Sequence, residues 1–308
     1  MNGVLPDPRV PIRAHVALAV SQLGFGLFPV FGKLVFPPRG PIPPLGVAAL
    51  RAAFGAVSLQ LLASAVRSKG VEQRGDYLRL AVYAFFGIVL NQILYLQGLA
   101  HSSATHAGLL VAATPAIAYG LAIAIGRETA RIQPTMGVVL AIVGAAWIAL
   151  VRPTTPNPDA TLFGDALLLA NVACYAVYLV LVRDVLGRVD PLRAIAWIFT
   201  FGAVANVPVG LPALHEVDWN AVPARTWWHL AFILLCPTSI CYALNAWALK
   251  RAPATLAAVY TSTQPVIATI SAALVLGERP PVVDTSCAAL LILAGVMLVA
   301  LRRVGSTP

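Results

Sequence analysis

Residues 104–128, ATHAGLLVAATPAIAYGLAIAIGRE, come back 150 residues later as 254–278, ATLAAVYTSTQPVIATISAALVLGE. Pro115 is answered by Pro265 and Glu128 by Glu278. The echo extends both ways: Gly144 and Leu150 meet Gly295 and Leu301, Gly55-Ala56-Val57 meets Gly202-Ala203-Val204, and Lys33 meets Arg183. A period this long means two similar structural units in one chain, so any fold must be built twice. The units divide as residues 1–151 and 152–308.

Each unit is dominated by apolar runs. The chain is 59% hydrophobic and 11% charged, with a mean hydropathy of +0.82, where a soluble domain carries about 25% charge. Runs of about 20 apolar residues, the length a bilayer core requires, fall near 14–36, 44–66, 78–100, 104–126 and 134–151, then 163–183, 191–211, 227–249, 254–276 and 283–301. The first is too long for the apolar core of a cleaved signal peptide and is expected to stay as a span. The expected fold is an all-α membrane protein of ten transmembrane helices, five per repeat. An odd number per repeat forces the two units to enter the membrane in opposite directions, as in inverted-topology transporters.

Charge placement sets the orientation. With the N-terminus inside, 15 Lys and Arg fall on inner ends, among them Arg9, Arg13, Arg302 and Arg303, and 5 on outer ends, including Arg152. Positively charged loops stay cytoplasmic, so both termini are expected inside and the net charge of +9 is a topology signal. It is not a nucleic-acid footprint. Trp219, Trp227 and Trp228, on an outer connection, read as interfacial anchors.

Polar residues within spans are costly and face a partner or a cavity. In the sixth span Asn171, Tyr175 and Tyr178 lie on one helical face, and the repeat maps them onto Ser21, Phe25 and Phe28 of the first, with Gln22 adjacent. Asn91 and Tyr95 share a face of the third span, answered in the eighth by Tyr242 and Asn245. Tyr260, Thr263 and Gln264 share a face of the ninth, opposed in the fourth by Thr114. Single residues of this kind also serve as interhelical glue worth roughly 1 kcal/mol. Their recurrence in both units points to a shared cavity holding a small-molecule substrate.

Pro115 and Pro265 each remove a backbone hydrogen bond in mid-span and read as a static kink or a hinge. Arg51 lies about seven residues inside the second span. Three readings stand for it: snorkelling to the outer surface, bonding helix-end carbonyls, or holding a substrate carboxylate. Lys33 reads as interfacial. The four cysteines sit in apolar runs and read as small buried hydrophobes. Every Asp and Glu falls in a loop or at a span end, and no phosphate-binding loop, metal-ligand cluster or nucleophile with a placed base is present. The sequence therefore predicts no cofactor, no metal and no enzyme; it leaves the oligomeric state open.

The chain resembles the EamA-type transporters of the drug/metabolite transporter superfamily. The matching stretches are GFGLFPVFGK, PLGVAALR, GLAHSSATHAGLLVAATPAIAYGLAIAIGRE and GVVLAIVGAAWIAL, with ALKRAPATLAAVYTSTQPVIATISAALVLGERP and AALLILAGVMLVAL in the second unit. Phe25 departs from the Trp-Gly that many members carry at that point. The resemblance implies ten helices, alternating access, and a cavity lined by spans one, three, four, six, eight and nine, in the cell inner (plasma) membrane. A tyrosine-rich, uncharged lining fits exporters of neutral or aromatic amino acids within that family. The alternatives are a multidrug or nucleotide-sugar carrier and a non-transporting scaffold.

Overall fold

The computed structural model describes residues 11–150, 161–252 and 254–300. Arg9, Arg152, Arg302 and Arg303 lie outside them. Twelve helical segments follow in chain order: α1 Ile12–Val35, α2 Pro44–Ala65, α3 Arg74–Ala100, α4 Ala104–Ala112, α5 Thr114–Ala124, α6 Ile132–Leu150, α7 Leu162–Leu186, α8 Pro191–His215, α9 Ala224–Leu249, α10 Ala254–Thr261, α11 Gln264–Leu276 and α12 Val282–Ala300. Among the described residues there is no strand.

Eight of these, α1, α2, α3, α6, α7, α8, α9 and α12, are long and apolar enough to cross a bilayer. The fourth expected span is broken: α4 and α5 meet at a 41° bend. Pro115 causes the break, because it cannot donate to the preceding turn and is instead tolerated in the first turn of α5. Pro265 does the same in α11, leaving α10 and α11 as two short segments where a single span is expected. Both broken helices end on a glycine in the left-handed region, Gly126 (φ 72°) and Gly277 (φ 71°), where any other residue would strain the backbone.

Helix starts follow ordinary capping chemistry. Ser103 accepts from His106 N–H at 3.0 Å, Thr161 from Gly164 N–H at 3.1 Å and Asp190 from Leu192 N–H at 3.0 Å. The repeat also appears in the defects. Wide π-helical turns occupy Phe85–Leu90 in α3 and Cys236–Ile240 in α9, 150 or so residues apart. Such turns free backbone carbonyls, and a side chain answers in each case. Asn206 donates to Ile88 O at 3.4 Å, and Thr238 donates to Ile233 O at 2.7 Å.

Packing crosses between the units through small residues. A Cβ on Gly295 would stand 2.4 Å from Gly137 O, and one on Gly144 would stand 2.9 Å from Ala288 O, so α6 and α12 run antiparallel in close contact. Likewise Gly210 faces Leu45 O and Gly55 faces the Phe199 ring, which sets α2 and α8 antiparallel. Gly24 fits against Cys236 and Cys241 of α9, Gly98 against Leu168 of α7, and Gly108 against Ala268 of α11. Close backbone approach at small residues is what holds helices together in lipid, where apolar burial supplies little. The lipid-sized apolar exterior carries Leu274, Leu290, Val204 and Leu61 exposed, and Trp219, Trp227 and Trp228 are exposed near one end.

Candidate functional site

The helices that these contacts join enclose a cavity of about 580 Å³. Its lining runs from Arg51 and Phe28, deep in the bundle, to Glu128, Arg183, Leu186 and Leu249 at one end. At that end the Arg183 side chain is solvent-exposed and its guanidinium lies 3.6 Å from Glu128. Arg127 and Asp184 pair beside them at 2.8 Å.

The opposite end of the bundle is shut by buried and half-buried polar contacts. Glu278 receives the N–H groups of Ala104 and Thr105 at 2.8 and 3.0 Å and the Thr105 hydroxyl at 2.7 Å. Its carboxylate thus satisfies the exposed donors at the start of α4, where a negative charge is favoured. Asp165 receives the Ser102 hydroxyl at 2.5 Å and faces His106 Nδ1 at 3.1 Å, all three being buried. Lys33, in the last turn of α1, is buried within the protein and donates to Ala100 O at 3.1 Å. Ser102 and His106 are four residues apart, but Asp165 is 63 and 59 residues from them, and no local spacing announces it. Asp165 sits between the other two, so the serine hydroxyl faces a carboxylate and not an imidazole, unlike the order of a Ser-His-Asp triad.

Ten of the residues singled out by the sequence lie on the cavity wall: Gln22, Phe25, Asn91, Tyr95, Thr114, Asn171, Tyr175, Tyr242, Asn245 and Gln264, together with Pro115. Gln264 donates to Gln22 at 2.5 Å, tying α11 to α1. Asn171 donates to Asn91 O at 2.8 Å, tying α7 to α3 beyond its wide turn. Tyr242 stands edge-on to Phe25 with ring centroids 5.4 Å apart. Asn245 Oδ1 is buried and meets no donor among the described residues.

Four others stand off the wall. The Ser21 hydroxyl bonds Ala17 O at 2.7 Å and reaches Cys241 O at 3.3 Å. Tyr178 stacks on Tyr175 at 5.4 Å and fills the space left by Gly87. The Tyr260 hydroxyl meets His15 Nδ1 at 3.1 Å, and Thr263 Oγ1 turns back to Tyr260 O at 2.7 Å. Pro265 is buried at the head of α11. The expectation of an uncharged lining is corrected by Arg51, which is buried in the wall and does not snorkel outward. Its partner Thr238 is 187 residues away in sequence, which no periodicity could connect.

The sequence of the two units matches the EamA-like transporter family over residues 12–150 and again over 162–301. The chain belongs to that family. EamA relatives include the uncharacterized transporter YetK of Bacillus subtilis, 26% identical over 86% of this chain and 80% of that protein. The Protein WALLS ARE THIN 1 of Arabidopsis thaliana is 26% identical over 87% of this chain and 77% of its own length. A solved crystal structure superposes with a TM-score of 0.63 at 17% identity, covering 95% of this chain and 99% of its own, a likeness of fold. As an EamA protein the chain is a multi-pass membrane transporter, and the family indicates no catalytic function.

Proposed function

We propose that this EamA protein is an alternating-access carrier of small zwitterionic or uncharged metabolites, with neutral or aromatic amino acids as its cargo, exported across the inner membrane. The observation that carries the reading is the cavity itself. It lies at the junction of the two units, is walled by Tyr95, Tyr175 and Tyr242 with amides from Asn91, Asn171, Asn245 and Gln264, and reaches one end of the bundle. Midplane sites at a repeat junction are the rule in inverted-repeat carriers. Antiparallel packing of the equivalent helices α2 with α8 and α6 with α12 supports the inverted arrangement, with α4–α5 and α10–α11 as the fourth and ninth of ten spans. With the termini cytoplasmic, the mouth at Glu128 and Arg183 faces inward. The ten wall residues form the binding set; Ser21, Tyr178, Tyr260 and Thr263 support them. Counterflow in proteoliposomes tests the reading: phenylalanine, tyrosine and leucine held inside should drive labelled phenylalanine in. A purified, folded protein that exchanges none of them would overturn the choice of cargo.

A further inference from the structure

Arg51 is 5% exposed and sits seven residues inside α2, where an arginine costs roughly 2.5–3.5 kcal/mol to place in a membrane. Two contacts fix it, one of them backed by a further ring. Its Nε donates to Thr238 Oγ1 at 2.9 Å, and that hydroxyl is itself aimed by its bond to Ile233 O across the wide turn of α9. The guanidinium carbon lies 4.2 Å from the centroid of the Phe28 ring. Phe28 in turn stacks on Tyr95 at 5.1 Å. The guanidinium is thus clamped flat, with its orientation set by three helices.

What the clamp leaves open is the far edge of the fork. Nη1 and Nη2 donate to nothing among the described residues. The titratable groups beside Arg51 are the phenols of Tyr95 and Tyr242, and the one carboxylate on the cavity lining is Glu128 at the mouth. A buried cation with no anion is the costly half of an ion pair, and a planar fork with parallel N–H groups matches a carboxylate in two-point contact. A structural arginine would instead spend its donors on carbonyls, as Arg193 does with Ala63 O and Ser68 O.

We infer that the Nη edge of Arg51 is the anchor for a carboxylate on the transported molecule, which makes the cargo class small organic acids and amino acids with a free carboxyl group. The inference rests on the transport reading above; it keeps the amino acids, drops uncharged cargo and adds small organic acids. The rest of the cargo lies toward Tyr175, Tyr242 and Asn245, and the anchored end lies deepest in the cavity, next to the shut end.

Matched pairs that differ only at the carboxyl group test this: phenylalanine with phenylalaninamide, leucine with leucinamide, and benzoate with benzamide. Binding is read on the purified full chain as the shift in thermal unfolding midpoint at matched ionic strength, and carriage is read as counterflow in proteoliposomes. The carboxylate of each pair should bind at least about tenfold more tightly than its amide. Arg51→Gln should abolish the preference, and Arg51→Lys should keep part of it. Should Arg51→Gln not fold, the wild-type pairs still decide, and Thr238→Val, which releases Nε, should weaken the preference. Equal binding within the pairs, or no shift by any carboxylate, overturns the anchor. Equal counterflow of acids and amides leaves transport standing and removes the anchor. Carboxylate-selective binding with no flux of any compound keeps the anchor and removes transport.

Discussion

Glu278 caps the helix that begins at Ala104, and the same position of the first unit, Glu128, meets Arg183 instead. The first contact is half-buried and three-fold, with donors 2.7–3.0 Å from the carboxylate. The second is a 3.6 Å ion pair to an exposed arginine. Equivalent carboxylates in unequal contacts are what an alternating carrier needs, since one end must be shut while its counterpart is open.

Removing the tighter contact should loosen the shut end. Replacing a capping acid costs about 1–2 kcal/mol, so Glu278→Ala should speed amide hydrogen exchange in the peptide spanning residues 104–110. The Glu128→Ala protein should leave that peptide unchanged. Equal protection in both variants would show that Glu278 does not hold the end closed.

The glycine crossing of α6 and α12 should not tolerate bulk. A side chain at Gly295 would meet Gly137 O at 2.4 Å, and overpacking of this kind costs roughly 1–3 kcal/mol. Gly295→Leu should lower the unfolding midpoint in detergent, whereas Gly70→Leu, with open space around it, should not. No difference between the two would contradict the packing described for that pair of helices.

Stacked neighbours should separate binding from packing. Tyr175→Ala and Asn245→Ala should cut counterflow by about tenfold or more, equivalent to ~1.4 kcal/mol, with little change in folded yield. Asn245 Oδ1 has no donor to lose among the described residues, so its removal leaves no such donor stranded. Tyr178→Ala, off the wall and against Gly87, should lose stability by roughly 2–4 kcal/mol. Folded yield falling in step with counterflow for Asn245→Ala would make it interhelical glue.

Flux should follow the substrate gradient and not the proton gradient. Among the described residues Glu128, at the mouth, is the one carboxylate on the lining, and the buried Asp165 sits within the shut end, bonded to Ser102 and facing His106. An imposed pH step of about two units, worth ~2.7 kcal/mol per proton, should leave counterflow unaltered. Uphill accumulation abolished by a protonophore would contradict this.

How much of this was legible follows from the range of each interaction. The repeat, the breaks at Pro115 and Pro265, and the shared face of Asn171 and Tyr175 are local or periodic, and the sequence states them directly. Ten wall residues could be named because helical periodicity brings side chains three, four and seven positions apart to one face. The wide turn at Phe85–Leu90 carries no proline and leaves no sequence mark. Arg51 with Thr238, and His106 with Asp165, are joined only by the way helices of opposite units cross. Tyr178 shows the limit in the other direction, since it shares a helix face with Tyr175 but is taken up by packing against α3.

Alternating access itself is tested most directly by the reach of one cavity position from both sides. Thr114, on the wall next to the Pro115 break, is replaced by cysteine in a background where Cys174, Cys236, Cys241 and Cys287 are changed to alanine. A membrane-impermeant thiol reagent is then applied to one face or the other of sealed vesicles of known orientation. The account predicts labelling from both faces, with cargo slowing each reaction. Labelling from the Glu128 face alone, unchanged by cargo and accompanied by undiminished counterflow, would contradict it.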